Sequence, residues 1–377
     1  MKVQKRSWAQ SSFLCDNGRA TQQEEVDLPQ RKSGHVTLLD VAKACGLSVS
    51  TVSIVLSEAP LSQNVAATTR TKVREAAKRL GYHPDASARS LRRRRSHTIG
   101  VLAYDLSDPF CIPLVQGIQS ALAPEGYLPL LIDAQTERGL FDRYMKMILE
   151  QRAEGVVVIA SWVFEETNLL ADLEKNHVPI VILGRDLSRR KIDSLLVDNR
   201  LGGELAMGHL LELGHRQIAV IRGPKELFDS EPRWKGIQSV AARQGAKLDP
   251  RLVLQLPGVA DPLSGFEGGR ELARRLLSTG VRFSAIVAFD DLTALGVVRG
   301  LSDAGIRVPE DCSIIGFDDV MPAALSTPGI TTIHQPLKEM GLLAGKWCVN
   351  AIHARESGKA RGVEFLKAEP RLIVRES

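Results

Sequence analysis

Between Ser48 and Ile54 the chain interleaves hydroxyl and branched aliphatic side chains at a spacing suited to the free side of a short helix. Serine and threonine hydroxyls donate and accept at base edges, and valine or isoleucine methyls fit the methyl of thymine. Val49, Ser50, Thr51, Ser53 and Ile54 therefore have the chemistry to read a major groove, with Thr37 and Ser48 beside them where two helices start. No Arg, Asn or Gln joins this set, so the expected readout is hydroxyl-based and apolar. The bland alternative is a small helical domain that binds protein. Further on, Arg89, Ser90 and Leu91 precede the run Arg92 to Arg95. A leucine flanked by arginines at the end of a short helix suits a wedge in a minor groove, and the arginines suit phosphate neutralisation. Otherwise Leu91 packs on the body and the arginines form a solvated linker.

A second chemistry sits where apolar runs stop. Asp105, Asp108, Asp133, Ser161, Arg185, Asp198, Arg222, Asp290, Asp291, Asp318 and Asp319 all follow such runs. Short apolar runs separated by helix-length amphipathic stretches read as buried parallel strands with crossover helices. Ligands bind beyond the carboxyl ends of such strands, so these groups are expected to line a cleft. Asp108 and Arg185 are candidate ligand contacts. Trp162 follows a strand end and offers either a stacking face or a core plug. Some polar residues must instead cap the next helix, as Asp291 can. The runs fall into two sets, the second beginning near Leu195, which implies two doubly wound lobes. The segment from Thr331 onward is expected to tie back to the first.

The groove-reading set needs a pair of helices to hold it. Leu38, Val41 and Ala42 repeat at helical spacing over 38–44, Gly46 supplies the positive φ of a tight turn, and Ser48 caps a second helix over 49–56. Val52 and Val55 face the first helix. A third helix over about 69–80 turns Val73, Ala76, Ala77 and Leu80 inward and stops at Gly81. Residues 58–67 read as a long, loose connection, and residues 1–35 as a disordered polar arm. The expected division is an extension (1–35), a helical head (36–85), a hinge helix with basic linker (86–97) and a two-lobed body (98–377).

Charge divides the same way. Residues 1–97 hold 17 Lys and Arg against 8 Asp and Glu, leaving 32 against 36 in the remainder, so the end with the groove-reading residues is the one suited to a polyanion. Five scattered cysteines without a CxxC pair favour reduced thiols in a cytosol. No apolar run approaches the roughly 20 residues of a membrane span, and 1–35 lacks a secretory core, so a cytoplasmic location is expected. GxSxG, HExxH and GxGxxG are absent. Residues 341–346 stop one short of a phosphate loop and read as helix packing, and His209 and His215 do not share a helix face. No enzyme activity, cofactor or metal is expected.

Taken in order, these segments resemble the lactose-repressor (LacI/GalR) family of bacterial transcription regulators. The likeness begins with Val-Thr-Leu-Leu-Asp-Val-Ala-Lys-Ala-Cys-Gly-Leu-Ser-Val-Ser-Thr-Val-Ser at 36–53 and Ala-Arg-Ser-Leu at 88–91. It continues through Asp-Pro-Phe at 108–110, Gly-His-Arg-Gln-Ile at 214–218, Arg-Trp-Lys-Gly at 233–236, Phe-Asp-Asp at 289–291, Ile-Gly-Phe-Asp-Asp at 315–319 and Thr-Thr-Ile-His-Gln-Pro at 331–336. The resemblance implies an all-α helix-turn-helix head and a two-lobed α/β body of the periplasmic-binding-protein type with parallel sheets. It also implies a homodimer on a pseudo-palindromic operator in double-stranded DNA, and control by a small-molecule effector, a sugar or sugar derivative. It places base reading on Val49, Ser50 and Ile54, insertion at the central step on Leu91, effector stacking on Phe110, and effector hydrogen bonds on Arg233 and Asp291. Leu227 and Ala260 are apolar or small where relatives often place effector contacts, and 60–65 is longer than in the best-known members. Without a leucine-heptad tail, a dimer is expected and not a tetramer. The alternative is a sugar-binding protein, cytosolic or exported, that has no DNA function.

Overall fold

The computed structural model describes residues 36–57, 60–82, 95–150, 153–159, 178–258 and 264–377. The expected extension 1–35, the hinge candidates Arg89, Ser90 and Leu91, and Trp162 and Ala260 lie outside the described residues. The chain divides into two compact units, residues 1–85 and 86–377.

The first unit is built from α1 (Leu38–Cys45), α2 (Val49–Leu56) and α3 (Ala67–Leu80). The chain turns through 108° between α1 and α2, within the range of a helix-turn-helix. Gly46 makes that turn possible: its φ of +64° is the left-handed region, and its N–H closes α1 on the carbonyls of Ala42 and Lys43. Val41, Ala42, Cys45, Val52, Val55, Val73, Ala76 and Ala77 are buried together as the core, the small alanines letting steeply crossed helices touch. The connection after α2 is less loose than its composition suggests, since Pro60–Asn64 closes a 3-10 turn. α3 also starts before the expected 69, because Ala67 extends a helix at no side-chain entropy cost.

The second unit holds two six-stranded sheets. In the first, β1 (Thr98–Ala103), β2 (Leu128–Asp133), β3 (Gly155–Ile159), β4 (Ile180–Leu183), β5 (Asp193–Val197) and β11 (Phe365–Ala368) run parallel in the order 11-5-4-3-1-2. In the second, β6 (Ile218–Arg222), β7 (Val253–Gln255), β8 (Ala285–Val287), β9 (Ser313–Asp318), β10 (Thr331–His334) and β12 (Arg371–Ile373) take the order 12-10-9-8-6-7. Among the described strands only β12 pairs antiparallel, against β10.

Two expectations fail here. The run at 195–197 belongs to the first sheet, paired with β4, and does not open the second lobe. Asp193 holds it there, receiving Arg361 Nη1 at 2.5 Å and the Glu364 N–H at 2.8 Å beside β11. The segment from Thr331 does not simply return to the first lobe either. β10 and β12 join the second sheet while β11 and the helix Leu337–Glu356 join the first.

Both faces of each sheet are covered, which is why its strands read as unbroken apolar runs. Ile99, Val101 and Ala103 of β1 pack under α4 (Cys111–Leu122) and the helix Leu337–Glu356, while Leu102 faces Phe141, Met145 and Ile148 on the other side. Gly341 lies within that last helix, and a β-carbon there would stand 2.1 Å from the Leu114 carbonyl oxygen of α4. The Gly341 to Lys346 stretch is thus a close helix crossing and not a phosphate loop.

Candidate functional site

The chain passes between the lobes at 197–199, 334–337 and 368–371. A cavity of about 160 Å³ lies beside these crossings, at the carboxyl ends of both sheets. The first lobe contributes Asp105, Asp108 and Phe110, the second Asp229, Asp290 and Asp318. Phe110 packs against the cores of both lobes and lines the cavity between them.

Arg233, expected as an effector contact, lines the cavity from the first turn of the helix Ser230–Arg243 and is only 6% exposed. Its Nε donates to Asn199 Oδ1 at 2.7 Å and Nη1 to the Phe289 carbonyl at 2.7 Å, while Nη2 stands 3.6 Å from Asp318 Oδ1. The guanidinium also lies 3.6 Å from the Phe317 ring centroid. It is therefore a structural knot as well as a lining group, tying a lobe crossing to two strand ends.

The structure places two expected contacts elsewhere. Arg185 does not line the cavity; its guanidinium lies 5.7 Å from the Phe228 ring of the opposite lobe. Asp291 has no exposed surface and no wall of the cavity. Its Oδ1 accepts from Thr332 Oγ1 at 2.6 Å and its Oδ2 from the Val320 N–H at 2.9 Å. Gly316 leaves the room for it, since a β-carbon there would meet Asp291 Oδ1 at 2.3 Å. The neighbouring Asp290 lines the cavity instead, while also capping the next helix through the Thr293 N–H at 2.7 Å.

Sequence reasoning left out Asn199 and Gln335 as candidates, because both sit at lobe crossings, which only the topology reveals. Asn199 accepts from Arg233 and donates to Asp229 Oδ1 at 3.0 Å; Gln335 Nε2 donates to Asp318 Oδ1 at 2.6 Å. Asp318 carries a backbone signature of its own, a φ of +110°, followed by +61° at Asp319. Such strain in non-glycine residues persists where surrounding contacts over-determine it, often at ligand sites.

The carboxylates do not sit at ease together. Burial raises Asp108 to about 7 against the Phe110 N–H bond, and Asp290 and Asp105 add to the rise. Burial also pushes Asp318 well up; Arg233 opposes this, and Asp290, Asp291 and Asp108 reinforce it. Among the described residues no group of His, Cys, Asp and Glu has the arrangement of a metal site.

In the head, Thr37 and Ser48 are placed as caps. Thr37 forms a reciprocal box with Asp40, and Ser48 Oγ receives the Thr51 N–H at 3.1 Å and meets Thr51 Oγ1 at 2.8 Å. Three of the groove-reading candidates' hydroxyls are thus engaged within the head. Val49 and Ser50 are exposed, with Thr51, Ser53 and Ile54 half-buried around them. Ser48→Ala is expected to cost the head about 1 kcal/mol, read as a lower urea midpoint for the head's transition. An unchanged midpoint would show that the cap is dispensable.

Arg95, last of the arginine run, is not left for phosphate. It bridges Glu154 Oε2 at 3.2 Å and Glu356 Oε1 at 3.1 Å, and Nη2 donates to Tyr127 Oη at 2.8 Å. Arg92 to Arg94 lie outside the described residues.

A helix-turn-helix head and a two-lobed receptor cleft in one chain define the class of effector-controlled DNA-binding regulators. Comparison with known proteins agrees. Residues 37–85 match the model for bacterial regulatory proteins of the lacI family, and residues 207–377 match a periplasmic binding protein-like domain. The HTH-type transcriptional repressor PurR of Edwardsiella ictaluri (strain 93-146) is 32% identical over 343 residues, covering 90% of this chain and 96% of that protein. A complex of the transcriptional regulator CelR with cellobiose superposes with a TM-score of 0.66 at 28% identity, over 91% of this chain and 100% of that one. The lac repressor dimer bound to operator and the anti-inducer ONPF gives 0.73 at 26% identity, over 91% and 98%. The chain belongs to the lacI family of bacterial regulatory proteins. It is a DNA-binding transcription regulator under effector control, and not an enzyme.

Proposed function

We propose that the protein is a cytoplasmic repressor, that a homodimer of it holds a pseudo-palindromic operator, and that a sugar or sugar derivative in the cleft sets its affinity for DNA. The observation that carries this reading is the cavity itself, walled by both sheets and by the lobe crossings, so that a ligand filling it biases the angle between lobes. Phe110 offers a stacking face, and Asp108, Asp318 and the Arg233–Asn199 pair offer directed hydrogen bonds to hydroxyls. The CelR relative holds a disaccharide.

Two apolar surfaces of the body support self-association. The edge strand β2 leaves Leu128, Leu130 and Leu131 exposed, and the short helix Met321–Leu325 leaves Met321 and Leu325 about three-quarters exposed, at 73% and 75%. An uncovered apolar edge invites a second copy. Base reading is assigned to Val49, Ser50 and Ile54, supported by the accessible start of α2. The roles of Arg89, Ser90 and Leu91 as a hinge that enters the minor groove rest on sequence, as does the division at 1–35, 36–85, 86–97 and 98–377. No single helix among the described residues is long and apolar enough to cross a membrane.

The test is fluorescence anisotropy on palindromic duplexes selected by the chain from a random pool. Tight binding with a steep loss between about 50 and 200 mM salt is expected, as for any reader neutralising several phosphates. Val49→Ala and Ser50→Ala should relax base preference at one or two positions per half-site while keeping the salt slope. A chain indifferent to every duplex would sink the reading.

A further inference from the structure

Arg95, Ser96 and His97 are the first described residues of the second unit, and three other segments converge on them. Tyr127 stands just ahead of β2, Glu154 just ahead of β3, and Glu356 ends the helix Leu337–Glu356. Glu154 is the centre of this junction and is only 6% exposed. Its Oε1 accepts from the His97 N–H at 2.6 Å, and its Oε2 from Arg95 Nε at 3.2 Å and the Tyr127 hydroxyl at 3.3 Å. Arg95 Nη2 donates to that hydroxyl at 2.8 Å and lies 3.1 Å from Glu356 Oε1. His97 is held at a φ of +50°, in the left-handed region, which a non-glycine residue keeps where its neighbours over-determine it. The Leu128 N–H closes the other side, bonding the His97 carbonyl at 2.8 Å.

Stability does not account for the outer half of this junction. The Arg95 and Glu356 side chains are 34% and 36% exposed, and ion pairs open to water add little to folding. What the pair fixes is the point at which the linker leaves the body. The position of Glu356 in the fold matters as well. Its helix starts beside the lobe crossing at 334–337, and Met340 in its first turn lines the cavity. Twenty residues at 1.5 Å each then carry it about 30 Å to Glu356. Gly341 and Gly345 seat it so closely on α4 that the two helices move as one piece, since a β-carbon at Gly345 would stand 2.7 Å from that of Ala121.

We propose that Arg95, Glu154 and Glu356 are positioning residues for DNA binding. They moor the linker to the body, and Glu356 brings to that mooring the far end of a helix that walls the cleft. The inference rests on DNA binding by the chain and not on the nature of its effector. A linker released from the mooring must be ordered again each time the head engages DNA, which lowers affinity.

Two roles for Arg95 predict opposite results for Glu356→Gln. If Arg95 served to neutralise phosphate, loosening it would tighten binding and steepen the salt dependence. The mooring predicts binding weaker by roughly tenfold, the factor for ordering about one residue of backbone. The salt slope and the body's urea midpoint should both stay where they are. Fluorescence anisotropy of the full chain on duplexes it selects, between about 50 and 200 mM salt, reads the first two quantities, and urea unfolding reads the third. Arg95→Met should weaken binding at least as much, and adding Glu356→Gln to it should cost nothing further, because Glu356 acts through Arg95. Glu356→Gln binding as tightly as wild type, or more tightly, overturns the inference. So does a slope shallower by about one in Arg95→Met, which would make Arg95 a phosphate contact. Losses that add in the double variant, or a loss matched by a lower midpoint, overturn it too.

Discussion

Arg233→Met loses about 3–5 kcal/mol of body stability and the response to effector together. The guanidinium is nearly fully buried and is held by bonds to Asn199 and the Phe289 carbonyl and by its approach to Asp318. Methionine keeps the stem's volume against Phe317 but leaves the Asp318 carboxylate buried among Asp290, Asp291 and Asp108 without its cation. Breaking one side of a buried pair costs more than removing both, so Arg233→Met with Asp318→Asn should regain a large part of the loss. Urea unfolding of the body measures this. A single variant unfolding at the wild-type midpoint, or a double variant no better than the single, would show that the network does not hold the lobes.

Much of this architecture is legible in the sequence because local rules agree. Gly46, Ser48 and Gly81 punctuate the head where the helices turn, start and stop, and apolar runs mark each interior strand. Sheet membership is not legible, since Leu195 to Val197 reads the same in either lobe and only the Asp193–Arg361 bond across the body assigns it. The site shows the same division. Asp108 and Phe110 announce themselves at a strand end, whereas Asn199 and Gln335 reach the cavity through chain crossings that no periodicity reports. Asp290 and Asp291 are adjacent and chemically identical. Which one lines the cavity depends on which way each points from one helix start, and the family resemblance that pointed to Asp291 does not report that direction.

That choice between neighbours yields the second large effect. With burial as the main cause, and with the bonds from Thr332 and Val320 opposing it, the Asp291 carboxyl is pushed up to about 7 from an ordinary 3.8. Between those values the folded chain holds a proton that the unfolded chain has released. The stability this contributes is complete below about pH 4 and is lost as pH rises through 7. Asp291→Asn keeps both hydrogen bonds, because its amide oxygen accepts from the Val320 N–H and its NH2 donates to a Thr332 hydroxyl turned to accept. The variant should therefore match wild type near pH 4 and gain on it as pH rises to about 7, by as much as roughly 4 kcal/mol. Asp291→Ala strands the Val320 N–H and the Thr332 hydroxyl inside the lobe and should cost about 2–3 kcal/mol near pH 4. Melting curves across pH 4–7 separate this from a role in recognition. A ligand contact at Asp291 would instead lower effector affinity in the Asn variant with no pH-dependent change in the melting gap, since a carboxylate that meets solvent and ligand has no buried charge to relieve.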